Sequence, residues 1–358
     1  MERPPIEGGH LFFWSPMITA APAAAPQHAS PTPPASSWQA HWRQAIRDPA
    51  TLLAGLGLAA ADLGISAQAL AQFPLRVPRG FAARMRHGDP ADPLLRQVLP
   101  INAEMQVVPG FSFDAVGDGA ARKATGVIQK YRGRALLVAT GSCAIHCRYC
   151  FRRHFDYAGE NAARGGWQDS VAAIAADPSI DEVILSGGDP LSLATPKLAE
   201  LTDALAAVPH LKRLRIHSRL PVVLPERVDE ELLGWLAALP WPLAFVIHAN
   251  HANEFDATVD AALARLRGTG AQLLNQAVLL RGVNDDVQAL AALSERSFAA
   301  GVLPYYLHQL DRVQGVAHFE VGDERALALH AQLMARLSGY LVPKLVREIP
   351  GDTGKRPL

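Results

Sequence analysis

Three cysteines lie close together in the middle of this 358-residue chain. They are Cys143, Cys147 and Cys150, in the sequence CAIHCRYC, and the chain contains no other cysteine. Thiolates at the spacing C-x3-C-x2-C can bind three irons of a cubane iron–sulfur cluster from one short loop. The fourth iron is then left without a protein ligand, and a small molecule can bind there. A tetrahedral zinc with His146 or His154 as fourth ligand is the alternative, but closed zinc sites usually combine two pairs of closely spaced ligands.

The composition is typical of an enzyme from a reducing compartment. Hydrophobic residues make up 49% of the chain and charged residues 19%, which is enough to bury a sizeable core. Lys plus Arg and Asp plus Glu are both 34, and this zero net charge argues against a nucleic-acid-binding surface. Three cysteines in one loop form no disulfide framework, which favours the cytoplasm. The apolar runs are too short to span a membrane, and HLFFWSPMI makes a poor signal peptide.

The chain is predicted to have four regions. Residues 1–37, rich in Pro and Ala, are predicted to be a disordered leader, and residues 38–130 to form an N-terminal helical region. In residues 131–322, strand-like runs alternate with amphipathic helical patterns, and residues 323–358 form a C-terminal helix and a final segment. The predicted strands span residues 134–140, 181–188, 213–219, 243–250, 272–280 and 303–310.

This alternation predicts an α/β fold, an incomplete (β/α)6 barrel with an N-terminal helical extension and a C-terminal segment that closes the site. In parallel barrels the active site lies at the carboxyl ends of the strands. Each polar residue has a structural explanation by itself, as a turn or a core histidine. Six strand ends with polar residues nevertheless predict one active site. The polar residues are the cysteine loop, Ser186–Gly187–Gly188–Asp189–Pro190, His217–Ser218–Arg219, His248, Asn250, His251, Asn275, Gln276, Tyr305, His308 and Asp311.

Seven motifs follow one another along the chain: CAIHCRYCFRRHF, LSGGDPL, HSRLPVV, HANHANE, LNQAVLLRGVND, PYYLHQLDRVQGVAHF and SGYLVPKLVREIPGDTGK. In this order they resemble the lysine 2,3-aminomutase family of the radical S-adenosylmethionine superfamily. The resemblance covers residues 70–358. The CRYCFRRHF loop, LPYYLHQLDRVQG and the short carboxyl end are most similar to the branch that makes (R)-β-lysine for elongation factor P.

The resemblance implies three cofactors: a [4Fe-4S] cluster on the three cysteines, S-adenosylmethionine on its open iron, and pyridoxal 5'-phosphate. Gly187, Gly188 and Asp189 match the family segment beside the methionine amino group, and Gln276 and His248 match positions near the same ligand. Pyridoxal phosphate needs a lysine for covalent attachment. Of the six lysines in the chain, Lys355 in GDTGK matches the family's attachment lysine. In the phosphate-binding region KYRGR, which contains Lys130 and Tyr131, Arg134 is the best candidate ligand.

The substrate prediction depends on charge. Arg152, two residues after the last cysteine, matches the family's clamp for the substrate α-carboxylate. Asp311 and Glu348 match two acids that hold the ε-ammonium of lysine, although the metabolic enzymes have Asp at the second position. Two acids favour L-lysine over glutamate as substrate. Asp286 lies where some relatives have a cysteine for an interfacial zinc, and we expect no zinc there.

The expected enzyme is an isomerase that moves the amino group of L-lysine from the α to the β carbon, with (R)-β-lysine used to modify elongation factor P. Its expected partners are an electron donor such as flavodoxin or ferredoxin and a second copy of the chain in a homo-oligomer, with no nucleic acid or membrane. The alternatives are a metabolic lysine 2,3-aminomutase, a radical enzyme without pyridoxal phosphate, and a zinc-stabilised binding module.

Overall fold

A computed structural model of the chain describes residues 37–60, 63–160, 162 and 167–358. The predicted leader lies outside these residues, except for Ser37. The side chain of Ser37 accepts a hydrogen bond from the backbone N–H of Ala40 and caps the first helix, Trp38–Arg43. A helix was expected to begin at this point.

One ten-stranded sheet forms the centre of the molecule, and its strands are ordered in space as they are in sequence. Strands β3 to β9 are parallel to one another, whereas β1, β2 and β10 pair antiparallel at the two edges. Among the described residues β1 and β10 do not pair with each other, so the barrel is incomplete. The strands are β1 Arg122–Ala124, β2 Val127–Tyr131, β3 Arg134–Thr140, β4 Glu182–Gly187, β5 Arg213–Ser218, β6 Leu243–Ile247, β7 Gln272–Val278, β8 Leu303–His308, β9 Lys344–Arg347 and β10 Arg356–Pro357.

The predicted fold is therefore confirmed, with more strands than expected. All six predicted strands are present as β3 to β8. The seventh parallel strand, β9, was predicted only as part of a final segment, and it is four residues long. Because β9 pairs with β8, it places the residues that follow it beside the carboxyl end of the sheet.

The helices cover the sheet or build the N-terminal region. Helix α10 is representative: Asp256 caps it by accepting from the N–H groups of Thr258 and Val259, and its apolar stripe of Val259, Ala262, Leu263 and Leu266 is buried. The α-helices are α1 Trp38–Arg43, α2 Pro49–Gly55, α3 Ala67–Gln72, α4 Arg79–Ala82, α5 Pro93–Arg96, α6 Gln168–Ala175, α7 Thr195–Ala206, α8 Leu220–Val223, α9 Glu230–Ala237, α10 Ala257–Gly268, α11 Val287–Ala299 and α12 Asp323–Arg336.

Asp286 caps a helix, as Asp256 does. Its side chain accepts a hydrogen bond from the N–H of Ala289 and caps α11. In the described part of the chain, each helix is too short or too polar to cross a bilayer.

Candidate active site

Two cavities meet at the carboxyl ends of the strands. The cysteine cavity, of about 200 Å³, is lined by all three cysteines and by the residues that follow β4, β5 and β8. The arginine cavity, of about 170 Å³, lies beside it and is lined by Lys130, Arg134, Arg152 and Arg215 among others. Eight residues line both cavities, which makes them one continuous site. They are Phe151, Arg152, Ser186, His217, His248, Gln276, Glu348 and Lys355.

The cysteine loop is held by the N-terminal region of the chain. Arg148, inside the loop, is fully buried and donates from Nε to Glu104 at 2.9 Å. Arg153 donates to the same carboxylate at 2.7 Å. Glu104 is itself buried, so one acid pairs with two buried guanidinium groups, one inside the CRYC segment and one just after it.

The loop is also held by the two glycines at the end of β4, Gly187 and Gly188. The N–H of Gly188 donates to the carbonyl of Thr140 at 2.7 Å. A Cβ at Gly188 would lie 2.5 Å from the carbonyl oxygen of Ser142, and Gly187 has φ +116°. Only glycine fits this close approach without moving the backbone. The glycines therefore bring the end of β4 against the loop that carries Cys143.

Asp189 lines the cysteine cavity, and protein groups occupy its carboxylate. One oxygen accepts from the N–H of Leu191 and the hydroxyl of Ser218. The other accepts from the N–H groups of Arg219 and Leu220. Burial raises the pKa of Asp189 to about 6, although these hydrogen bonds oppose the rise. In this arrangement Asp189 fixes the ends of β4 and β5, and its place beside a methionine amino group stays a prediction.

The three thiols are free and face one cavity. Burial is the main reason that the pKa values of Cys143 and Cys150 lie above the ordinary thiol range. A guanidinium nitrogen of Arg219 lies 2.7 Å from the sulfur of Cys147 and donates a hydrogen bond to it. Among the described residues, no three His, Cys, Asp or Glu side chains form a ready-made site for a single metal ion.

A row of alternating charges crosses the arginine cavity. Asp118 pairs with both Arg152, at 2.7 Å, and Lys130, at 2.6 Å. Lys130 also lies 2.9 Å from Glu348, whose other oxygen is 2.7 Å from the ammonium of Lys355. Burial alone would raise the pKa of Glu348, but the ammonium groups of Lys355 and Lys130 outweigh it and lower that pKa to about 2. Glu348 is therefore ionised at neutral pH.

Asp311 is in a different situation from Glu348, although both line the cysteine cavity. It forms no ion pair with any residue that the structure describes. Burial and the neighbouring charge of Glu348 raise the pKa of Asp311 to about 7. The charges of Lys355 and Lys130 oppose this rise, although both ammonium groups pair with other acids.

The wall of the arginine cavity combines cations and aromatic rings. The guanidinium of Arg134 lies 4.5 Å from the centre of the Tyr131 ring. Arg215, on β5, lines the same wall, as do Tyr305 and Tyr306. The ammonium of Lys355 lies 5.8 Å from the centre of the Tyr306 ring.

Three residues that line the cysteine cavity each have a buried polar atom without a hydrogen-bond partner among the described residues. The atoms are Oε1 of Gln276, Nε2 of His308 and Nε of Arg219. Burial lowers the pKa of His248, on the same wall, to about 4, with help from the charges of Arg219 and Lys355. Groups of this kind are rarely left unsatisfied in folded proteins, so they indicate where a polar ligand binds.

Comparison with known proteins places the chain in a family. Residues 132–214 match the model of a 4Fe-4S single cluster domain, which includes the cysteine loop. An L-lysine 2,3-aminomutase of Escherichia coli is 49% identical over 330 residues, which cover 91% of this chain and 96% of that protein. The chain belongs to the lysine 2,3-aminomutase family.

Two further relatives carry the same name. The L-lysine 2,3-aminomutase of Haemophilus influenzae is 45% identical, with 89% of this chain and 94% of that protein covered. The L-lysine 2,3-aminomutase of Clostridium subterminale is 32% identical, with coverages of 82% and 70%. Among solved structures, a radical SAM methyltransferase from Sphaerobacter thermophilus is similar with a TM-score of 0.43 and 17% identity, over 62% of this chain and 68% of that one.

Members of the lysine 2,3-aminomutase family are isomerases of the radical S-adenosylmethionine type, with a [4Fe-4S] cluster, S-adenosylmethionine and pyridoxal phosphate as cofactors. The residues of the site fit all three. The cysteine cavity offers three thiols for iron, and Gln276 and His308 offer unpaired polar atoms for a ligand beside them. The arginine cavity offers Lys355 for an aldehyde, and Arg134 and Arg215 for a phosphate.

The residues predicted to bind the cluster, the cofactors and the substrate all line one of the two cavities. Four other predicted positions at the strand ends line neither cavity: Pro190, Asn250, His251 and Asn275. Asn250 and Asn275 instead make hydrogen bonds inside the protein.

The prediction also missed several site residues. Asp118 was not predicted because it lies in a loop before the barrel. The sequence does contain a signal for Arg215. Along β5, Arg215 and His217 alternate with the buried Leu214 and Ile216. Both polar side chains line the arginine cavity. A cation on the inner face of a barrel strand indicates a site for an anion.

Proposed function

We propose that this chain converts L-lysine into (R)-β-lysine by a radical amino shift that depends on pyridoxal phosphate. The observation that carries the proposal is the position of Lys355. This lysine lines both the cavity with the cysteines and the cavity with the arginines. A coenzyme attached to Lys355 therefore lies in the same compartment as a ligand of the cysteine loop.

When bound, the cluster with S-adenosylmethionine supplies hydrogen abstraction, and pyridoxal phosphate supplies the π-system across which nitrogen moves. The protein residues bind and orient the substrate. Arg152 takes the α-carboxylate, and Asp311, together with Glu348, takes the ε-ammonium. Both ends of lysine would then be held, which would fix the position of the β carbon in the site. The buried walls exclude water and oxygen from the reaction.

The product is proposed to serve in the post-translational modification of elongation factor P. The chain is more similar to the Escherichia coli and Haemophilus influenzae relatives than to the Clostridium subterminale relative, at 49%, 45% and 32% identity. The loop CRYCFRRHF and the segment LPYYLHQLDRVQG support the same branch. We place the reaction in the cytoplasm, because cluster thiolates need a reducing compartment. We also propose a flavodoxin or ferredoxin as the electron donor and a homo-oligomer as the assembly.

Two measurements test this function. Anaerobic turnover of L-lysine with S-adenosylmethionine and a reductant, followed by chiral chromatography, should give the R isomer. In a strain without its own aminomutase, the gene should restore the mass increase of β-lysyl elongation factor P. An S product, or an R product without that mass increase, would favour a metabolic lysine 2,3-aminomutase instead.

A further inference from the structure

Asp118 joins two cations of the arginine cavity. Its side chain is 3% exposed, one oxygen lies 2.7 Å from Nε of Arg152, and the other lies 2.6 Å from the ammonium of Lys130. Burial by itself would raise the pKa of Asp118, but the charges of Arg152 and Lys130 outweigh it and lower the pKa. The carboxylate is therefore ionised and holds both cations.

The loop that carries Asp118 has a fixed shape. The side chain of Asp114 accepts hydrogen bonds from the N–H groups of Asp118, at 2.9 Å, and Gly119, at 3.0 Å. Gly117 has φ +69°, and a Cβ there would lie 3.1 Å from Cβ of Pro350. The loop thus packs closely against the final segment of the chain, which also carries Glu348 and Lys355.

The guanidinium of Arg152 is held along one edge. Its Nε donates to Asp118, and one terminal nitrogen approaches the hydroxyl of Ser186 at 3.4 Å. A guanidinium has five N–H donors in a rigid plane, so a carboxylate on the Nε edge sets the direction of the terminal N–H groups. Arg152 lines both cavities, and its remaining donors are available to a ligand there.

We propose that Asp118 is a positioning residue that directs Arg152 toward the α-carboxylate of lysine. This inference rests on the proposed function, in which Arg152 binds that carboxylate. Asp118 also pairs with Lys130, which in turn pairs with Glu348, a proposed ligand of the ε-ammonium. Asp118 thus connects the groups that are proposed to bind the two ends of the substrate. In this proposal Asp118 acts through Arg152.

The test is lysine binding and turnover in Asp118→Asn, which keeps the shape and removes the charge. Isothermal titration of the pyridoxal-phosphate-loaded protein, without S-adenosylmethionine or reductant, should show a Kd for lysine raised about 10- to 100-fold, typical for a lost charged hydrogen bond. KM should rise equally, while kcat stays within about threefold, because uniform binding is lost. Asp118→Glu, which keeps the charge, should recover part of the affinity.

The control is Asp156→Asn, an exposed aspartate that accepts from two backbone N–H groups in a turn. It should bind lysine as the unaltered protein does. If Asp118→Asn also lowered iron content, coenzyme content and melting temperature, the role would be structural and the inference overturned. Unchanged affinity in Asp118→Asn, with weak binding in Arg152→Ala, would overturn the inference alone. Unchanged affinity in Arg152→Ala would overturn the proposed clamp and the inference with it.

Discussion

The ammonium of Lys355 lies 2.7 Å from the carboxylate of Glu348. Each of these residues lines both the cysteine cavity and the arginine cavity. The second oxygen of Glu348 holds Lys130. Glu348 thus connects the lysine that would carry the coenzyme with the cations around the substrate. Asp311 lies close enough for its pKa to respond to Glu348, but it forms no ion pair with any described residue.

The first prediction concerns coenzyme attachment. Borohydride reduction of the coenzyme-loaded protein should fix pyridoxal phosphate on Lys355, because this lysine lines both cavities. Peptide mapping by mass spectrometry identifies the labelled residue. Lys344 is exposed on β9, and Lys344→Ala should keep full labelling whereas Lys355→Ala loses it. A label found on Lys344 would refute the assignment.

The second prediction concerns the glycine that contacts the cysteine loop. Gly188→Ala would place a Cβ 2.5 Å from the carbonyl oxygen of Ser142. The loop must then move, and we expect a loss of about 1 to 3 kcal/mol in unfolding free energy, together with reduced iron and sulfide content. Iron analysis and thermal unfolding measure the two effects.

Gly234 in α9 is the matched control for Gly188. No atom lies within 4 Å of a Cβ built there, and the residue is helical. Gly234→Ala should stabilise the protein by about 0.5 to 1 kcal/mol and leave the iron content unchanged. Equal iron content in both variants would show that the close approach at Gly188 is not needed for the cluster.

The third prediction concerns the choice of lysine as substrate. Asp311→Asn should leave the ε-ammonium poorly paired, at a cost of about 2 to 5 kcal/mol, or roughly 30- to several-thousand-fold in kcat/KM. Asp286→Asn is the control, because Asp286 is an exposed helix cap and Asn caps helices equally well. Steady-state kinetics should give a lowered kcat/KM for lysine in Asp311→Asn and an unchanged kcat/KM in Asp286→Asn. An unchanged kcat/KM in Asp311→Asn would show that Asp311 does not bind the ε-ammonium.

The fourth prediction is a pH dependence with a definite sign. Burial and Glu348 raise the pKa of Asp311 to about 7, so Asp311 is largely protonated at pH 6 and largely ionised at pH 8. Only the ionised carboxylate pairs with an ammonium, so KM for lysine should fall as the pH rises through 7. Asp311→Asn should flatten this part of the profile. A profile with the same slope in both proteins would assign the titration to another group.

Much of the fold was predictable because its signal is local. The six parallel strands appear as apolar runs separated by helical patterns, and each predicted run contains a strand of the sheet. Strand β9 escaped prediction because four residues, Lys344–Arg347, are too few to show a period. Whether such a segment forms a strand depends on its pairing with β8, which lies far away in sequence.

The site was predictable as a set of residues, but their contacts were not. Asp189 is predicted to lie beside a ligand ammonium, but its motif does not indicate the four protein donors that contact its carboxylate. Asp118 has no motif of its own, and its position depends on how the loop packs against Pro350. Side chains that act through such long-range packing cannot be identified from spacing along the chain.

The most direct test of the central claim is the fate of the α-nitrogen of lysine. L-Lysine labelled with ¹⁵N at the α position should be incubated anaerobically with protein that is fully loaded with iron, sulfide and pyridoxal phosphate, plus S-adenosylmethionine and a reductant. NMR should then show ¹⁵N on the β carbon of the product, and Lys355→Ala should give no product. If fully loaded protein left all of the ¹⁵N on the α carbon, this chain would not be a lysine 2,3-aminomutase.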